Sequence, residues 1–221
     1  MSRMRGGRFR PGVREGMRSG GDITMMHGGL WRQLDGLDPA DVARRSACAH
    51  LPGGFRFDVF LLGRCHEVDV PARSILPVVG AAEACRPAGY LEQLCILAYL
   101  IHSRDEPPVG RLVSAEELPG GQFFFRGPHT LPTARLVEKF GEEPVRLQEA
   151  AVSLKGRRLA FGDSSVEIPA LARVPLTFVV WAGNEEFPAR ASVLFDGTAD
   201  RQLPLDALMA LVELTVKALA G

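Results

Sequence analysis

Apolar positions recur along this chain at two spacings, every second residue and every third or fourth, and the alternation between them marks out its elements. From Gly29, residues Leu30, Trp31 and Leu34 fall at helical spacing. A second helix follows, opened by Asp38 as cap with Pro39 at its first position and Val42 as its apolar contact. Phe55, Phe57, Val59 and Leu61 then alternate with Arg56, Asp58, Phe60 and Leu62, which predicts a half-buried strand, and Gly63-Arg64 suits a two-residue turn. Such a turn pairs Leu62 with Cys65, Val59 with Val68 and Phe57 with Val70. It sends His66 inward and sets Asp58 against Asp69 on the other face, with Arg56 and Glu67 nearby. Residues 71–88 carry three prolines and no sustained period, and read as a long surface connection.

Tyr90, Leu91, Leu94, Cys95, Leu97, Ala98 and Ile101 form a helix apolar nearly all round, hence central, with His102 at its C-terminal end. Two shorter helices, Thr133 to Phe140 and Pro144 to Leu154, are each followed by a stop glycine, Gly141 and Gly156, and are expected to form an antiparallel pair. A second hairpin turns at Gly162-Asp163 with Leu159, Phe161, Val166 and Ile168 inward. VPLTFVVWA is continuously apolar, the pattern of a central strand, and RASVLF alternates more mildly. The last helix carries Leu205, Leu208, Met209, Val212, Val216 and Leu219 as one stripe, expected to pack on the sheet. Hairpins with helices collected between them predict an α+β fold: one domain, its mostly antiparallel sheet built from hairpins and packed by several helices.

The 221 residues, 46% hydrophobic, are enough for one sizeable core. Net charge is zero, but residues 1–21 hold six arginines against Glu15, so the remainder is acidic. An acidic body lacks the positive surface that releases counterions from phosphates, and nucleic acid is not an expected partner. Residues 1–28 read as a disordered Arg/Gly-rich tail or a miscalled start, and 29–221 as the folded domain. The tail has no apolar stretch of the kind a secretory signal needs. No apolar run reaches the roughly 18 residues of a membrane span. Cys48, Cys65, Cys85 and Cys95 show no metal-ribbon spacing and read as reduced thiols of a cytoplasmic protein.

Candidate chemistry is sparse, with no phosphate loop, nucleophile elbow, metal cage or dinucleotide fingerprint, and no cofactor is named by any motif. Glu185 and Glu186 lie in a loop between two strands and Asp196 ends the second of them. Carboxylates so placed serve as general acid and base, or as a polar turn with Asp196 capping the next segment. His129 and Arg126 precede a helix, where an anion could meet a guanidinium and free amides, or where both side chains could simply be surface groups. Phe124 and Trp181 are the aromatic candidates for ligand contact. Three adjacent phenylalanines, Phe123 to Phe125, cannot all face one way, so one side must meet a partner element or a ligand. Cys65 and His66 are neighbours, but strand alternation separates their side chains.

Four segments in order, LWRQLDGLDPADVARRS, ELPGGQFFF, LVEKFGEEP and VPLTFVVWAGNEEFPARASVLFD, resemble the prokaryotic family catalogued as domain of unknown function 3786, over roughly Leu30 to Leu219. Members are mostly proteins of anaerobic or metal-cofactor-using prokaryotes, and some carry an appended iron–sulfur segment. This chain shows no four-cysteine module at either end. The resemblance implies a cytoplasmic, cofactor-associated accessory role. The expected function is therefore a ligand- or cofactor-binding accessory protein of prokaryotic metal or cofactor metabolism. Its pocket would lie between the Phe123–Phe125 loop, the central helix and the Glu185–Glu186 loop. A small metal-assisted or acid/base enzyme using Glu185 or Glu186, Asp196 and His129 is the second reading, and a protein interaction module the third.

Overall fold

A computed structural model describes residues 27–78 and 86–221; Cys85 and residues 1–26 of the arginine-rich segment lie outside the described residues. The chain is α+β, one domain with two antiparallel sheets. Helices α1 (Gly28–Asp35) and α2 (Pro39–Ser46) open it, with Trp31, Leu34 and Val42 fully buried. Asp38 caps α2 by accepting the Asp41 N–H at 2.7 Å, as its place before Pro39 predicts.

The first sheet is a meander of β1 (Ala49–Leu51), β2 (Arg56–Leu61), β3 (Arg64–Asp69) and β4 (Ser74–Pro77). Its central hairpin turns at Leu62-Gly63, one residue earlier than expected, because both residues take positive φ, 50° and 78°. This is the conformation of the primed hairpin turns that match strand twist. The register therefore shifts by two, pairing Phe57 with Val68, Asp58 with Glu67 and Arg56 with Asp69. A shift of two preserves the faces, so His66 is buried, as expected, while Asp58 faces Glu67 instead of Asp69 and Arg56 reaches Glu67 at 3.2 Å. Ser74–Pro77, expected to be loop, adds a fourth strand through Val68–Ile75 and His66–Pro77 pairing. As an edge strand it leaves proline no ladder bond to break in mid-sheet.

Helix α3 (Tyr90–His102) follows, with Cys95 to Leu100 nearly inaccessible, and it packs against α1 and α2. The second sheet has the order β5-β9-β8-β7-β6, formed by β5 (Leu112–Val113), β6 (Arg157–Leu159), β7 (Ser164–Leu171), β8 (Val174–Trp181) and β9 (Arg190–Asp196). β8, the apolar run, is central. The β6–β7 register joins Leu159 to Ser165, so residues 160–163 form the turn and Phe161 is 47% exposed rather than inward. Between β5 and β6 lie a short helix α4 (Gly121–Phe124), then α5 (Thr133–Phe140) and α6 (Val145–Val152). α5 lies against β9, α6 against β7, and the two touch each other. After β9 come α7 (Ala199–Gln202) and α8 (Leu205–Ala220). The principal neighbours of α8 are helices α3, α5, α6 and α7 rather than the sheet it was expected to cover.

Besides the packing of α3 on α8, two sets of hydrogen bonds tie the part of the chain that holds α1 to α3 and the first sheet to the second sheet. The β2–β3 turn docks on β7 where the register shifts between Pro169 and Leu171, and the Leu62 N–H donates to the Ala170 carbonyl at 2.9 Å. Deeper, the buried Tyr99 hydroxyl donates to the Ser46 carbonyl at 2.7 Å and accepts the Arg173 N–H at 3.1 Å. Arg173 donates from its Nε to the Arg45 carbonyl at 2.7 Å and from Nη2 to Asp105 at 2.6 Å. The C-terminal carbonyls of α2, which no intrahelical partner satisfies, are thus held by α3 and by the β7–β8 turn.

Tyr99→Phe removes a donor and an acceptor from a buried site, and is expected to lower unfolding free energy by about 2 kcal/mol, read as a lower urea midpoint at unchanged slope. Burial pulls the His66 imidazole below its ordinary 6.5, as it does that of His102. Each fold-stabilised neutral ring contributes stability that is complete above pH 6.5 and lost as pH falls through the lower folded value. The urea midpoint should therefore fall on acidification below pH 6.5, and fall less steeply in His66→Gln.

Candidate functional site

The β8–β9 hairpin builds a cleft at one end of the second sheet. Its last register pair is Trp181 with Arg190, and cross-strand partners share a face, so the guanidinium lies over the indole, 4.2 Å from the ring centroid. The connecting loop 182–189 is shaped by Asn184. Its Oδ1 accepts the Glu186 and Phe187 N–H groups at 2.9 and 2.8 Å, and its own N–H donates to the Phe187 carbonyl at 2.8 Å. The loop thereby holds Phe187 outward, 66% exposed.

The neighbouring β6–β7 turn forms the other wall. Asp163 donates its N–H to the Val180 carbonyl at 3.1 Å and accepts the Ala182 N–H on Oδ2 at 2.8 Å. Gly162 makes that approach possible: it has φ +58°, and a Cβ there would lie 2.8 Å from Val179 Cγ1 and 3.1 Å from Trp181 Cε2. The resulting cleft of about 470 Å³ is lined by Asp163, Trp181, Ala182, Asn184, Phe187, Pro188 and Arg190, within the size range of small-molecule sites. Two smaller clefts, of about 350 and 210 Å³, lie beside Pro169 and Pro175 and along Ala191 to Leu194.

The expected site residues do not come together. Glu185 and Glu186 sit exposed at the tip of the 182–189 loop, before β9, whereas Asp196 is at the far end of that strand, roughly 20 Å away at the rise of an extended chain. Asp196 is 2% exposed. Its carboxylate accepts from the N–H groups of Val109 at 3.1 Å, Gly110 at 2.6 Å and Thr198 at 3.0 Å, and from the Thr198 hydroxyl at 2.7 Å. Burial pushes this carboxyl up, but the hydrogen bonds from Thr198, Val109 and Gly110 together outweigh it and hold the group below its ordinary 3.8. The arrangement is a clamp between the 103–111 segment and the end of β9, and it includes the capping role.

His129 is exposed and stacks on Phe124, with ring centroids 4.6 Å apart and planes 2° from parallel. Arg126 is exposed beside it, but its carbonyl takes the His129 N–H at 3.1 Å, and the Thr130 N–H turns back to Gly127 at 3.2 Å. Amides that an anion would use are engaged within the turn. The three phenylalanines diverge: Phe123 is 76% exposed, Phe124 meets His129, and Phe125 is buried against Phe195 at 6.0 Å. Neither they nor α3 borders the Trp181 cleft. Burial raises the thiols of Cys48, to about 11, and of Cys95 and Cys65, the last also raised by Asp58. Cys65 and the buried His66 lie on opposite faces of β3. Among the described residues no group of three or more His, Cys, Asp or Glu is placed to hold a metal ion, and no helix is long and apolar enough to cross a membrane.

Of the sequence candidates only Trp181 borders the cleft; Arg190, Asp163, Asn184 and Phe187 were missed. The signal was present for Arg190, since two strands flanking one loop make Trp181 and Arg190 a terminal pair once the hairpin is recognised.

Fold and site together define a two-sheet α+β protein with an aromatic cleft at a hairpin mouth. Residues 38–218 match the family described as Domain of unknown function (DUF3786), and the chain belongs to it. No curated protein and no solved structure matches the chain.

Asp196→Asn replaces one accepting oxygen by an amide that faces donors, and should cost roughly 2–4 kcal/mol in urea unfolding. The carboxylate contribution is complete above pH 3.8 and lost as pH falls through the lower folded value, so the gap between wild type and variant should narrow in acid.

Proposed function

We propose that this protein is a ligand- or cofactor-binding accessory protein of prokaryotic metal or cofactor metabolism, acting in the cytoplasm, with the Trp181 cleft as its site. One observation carries the reading: an arginine stacked at 4.2 Å on a half-buried tryptophan, inside a cleft of ligand size whose other wall is an exposed phenylalanine. Exposed aromatic surface has a solvation cost that a ligand relieves. Membership in a family that the sequence resemblance places mostly in anaerobic or metal-cofactor-using prokaryotes supports the setting.

The interaction-module reading is favoured by Phe123 at 76% and Phe60 at 53% exposure, which lie outside any of the three clefts. The acid/base reading has its carboxylates at opposite ends of β9 and the Asp196 oxygens engaged.

Thermal unfolding against metal ions, tetrapyrroles, corrinoids and nucleotides tests the proposal. A cleft ligand at a hundred times its Kd should raise the Tm by about 5–10 °C. The same ligand should quench Trp181 emission, and its effect should disappear in Trp181→Ala; because the other tryptophan, Trp31, is fully buried, it serves as the internal reference. Stabilisation that survives Trp181→Ala and Phe187→Ala would place the ligand elsewhere and sink the assignment of this cleft.

A further inference from the structure

We infer that the Trp181 cleft takes a flat, fused heteroaromatic ring that presents acceptors or an anionic group to Arg190 and a ring N–H or exocyclic amine to Asp163. This rests on the cleft being the ligand site and goes on to name the ligand's chemistry. The walls decide the shape. Trp181 and Phe187 are the aromatic members of a lining that also holds Pro188 and Ala182, and the exposed Phe187 ring together with the guanidinium plane stacked on the indole offers area to a ring face. The indole is already covered by a planar guanidinium at 4.2 Å, a group that stacks on π-systems as well as pairing with anions.

The polar groups decide the edges. Among the described residues no carboxylate lies within 4.0 Å of the Arg190 guanidinium, so its charge is not neutralised by an ion pair. Its donors are directed by the fixed fork of the guanidinium and favour carboxylate or carbonyl acceptors. Asn184 adds to the same polarity, because Oδ1 is engaged by two backbone N–H groups and the amide Nδ2 remains a donor. Asp163 supplies the opposite polarity: Oδ2 holds the Ala182 N–H and Oδ1 is left to accept. A lining that combines a cation and an amide donor, a carboxylate oxygen and two aromatic rings matches a heterocycle with both acceptor and donor edges. A saturated acid would leave the aromatic walls wet, and a plain aromatic acid would leave Asp163 without a donor.

Three probes separate these cases on the full chain, by isothermal titration and Trp181 fluorescence: pterin-6-carboxylate, 2-naphthoate and cyclohexanecarboxylate. The expected order is pterin-6-carboxylate tightest, 2-naphthoate about tenfold weaker for want of the Asp163 contact, and cyclohexanecarboxylate weakest. Arg190→Met should weaken both planar acids. Asp163→Asn should weaken the pterin while leaving 2-naphthoate unchanged, and the unchanged 2-naphthoate arm reports that the variant's cleft is intact. Equal affinities for all three probes at Trp181, or an Asp163→Asn effect common to both planar acids, would overturn the heterocycle assignment while leaving the cleft a ligand site. Failure of the planar probes while a metal ion from the stability panel quenches Trp181 would overturn it too, whereas quenching by a purine nucleotide, itself a fused heteroaromatic anion, would support it. Absence of any Trp181-dependent binder would overturn the cleft reading itself.

Discussion

The hydroxyl of Tyr99 ties the ends of α2 and α3 to the turn between β7 and β8. Helix α2 ends in the interior, against α3, and its last carbonyls would be buried without partners if the rest of the chain did not supply donors. Tyr99 supplies one to Ser46 and in turn accepts the Arg173 N–H, while the Arg173 side chain serves the Arg45 carbonyl and Asp105. The same arginine lies at the turn between β7 and β8. The helix end, the central helix and the start of the central strand are thus fixed relative to one another by two neutral bonds of the buried Tyr99 hydroxyl, whose loss is costly at low dielectric, and by the Arg173 guanidinium, whose bond to Asp105 is exposed.

From that junction β8 runs through the core and emerges at Trp181. The position of the cleft is a consequence of that path. A strand anchored at its start by Arg173, paired on both sides and buried through Leu176, Phe178 and Val180, delivers its last side chain to the surface with little freedom. Gly162 and Asp163 then close one wall against it, and Asn184 folds the hairpin loop into the other. A site whose walls are set by strand ends and by backbone hydrogen bonds is preorganised, which reduces the ordering entropy a ligand must overcome.

Most of the architecture was legible in the sequence, because long periodic segments carry their own signal. The apolar run at Val174 to Trp181, the all-round apolar helix at Tyr90 to His102 and the cap at Asp38 all stand where the pattern places them. What escaped is local or cooperative. The early turn at Leu62-Gly63 depends on a leucine in the left-handed region, which residue preference argues against. Strand β4 exists only because β3 offers an edge, and Ser74 to Pro77 has no period long enough to announce it. The site was harder still. Its polar members come from two turns distant in sequence, and their adjacency is a property of strand pairing rather than of any motif. The one member chosen from sequence, Trp181, was chosen as an aromatic, without its partner Arg190.

The segments that carry the family resemblance divide by what their residues do in the fold. In LWRQLDGLDPADVARRS, Trp31 and Leu34 are core, Asp38 caps, and Arg45 bonds Asp41 and the end of α3. In ELPGGQFFF, Leu118 and Phe125 are buried, and in LVEKFGEEP so are Leu136 and Phe140. Architecture accounts for these residues, though not for Phe123 of the second segment, which is 76% exposed. The fourth, VPLTFVVWAGNEEFPARASVLFD, contains residues that architecture does not require: Phe187 is 66% exposed, and Arg190 has a ring to rest on but, among the described residues, no carboxylate within 4.0 Å. The exposed Phe187 ring keeps apolar surface in water that a complementary ligand would cover, and the exposed, hydrated Arg190 guanidinium over Trp181 would exchange water for that ligand's acceptors. Function is most economically sought where the fold keeps groups it does not itself use, and that criterion points to Phe187 and Arg190 at the mouth of the β8–β9 hairpin and, apart from them, to the exposed Phe123 and Phe60.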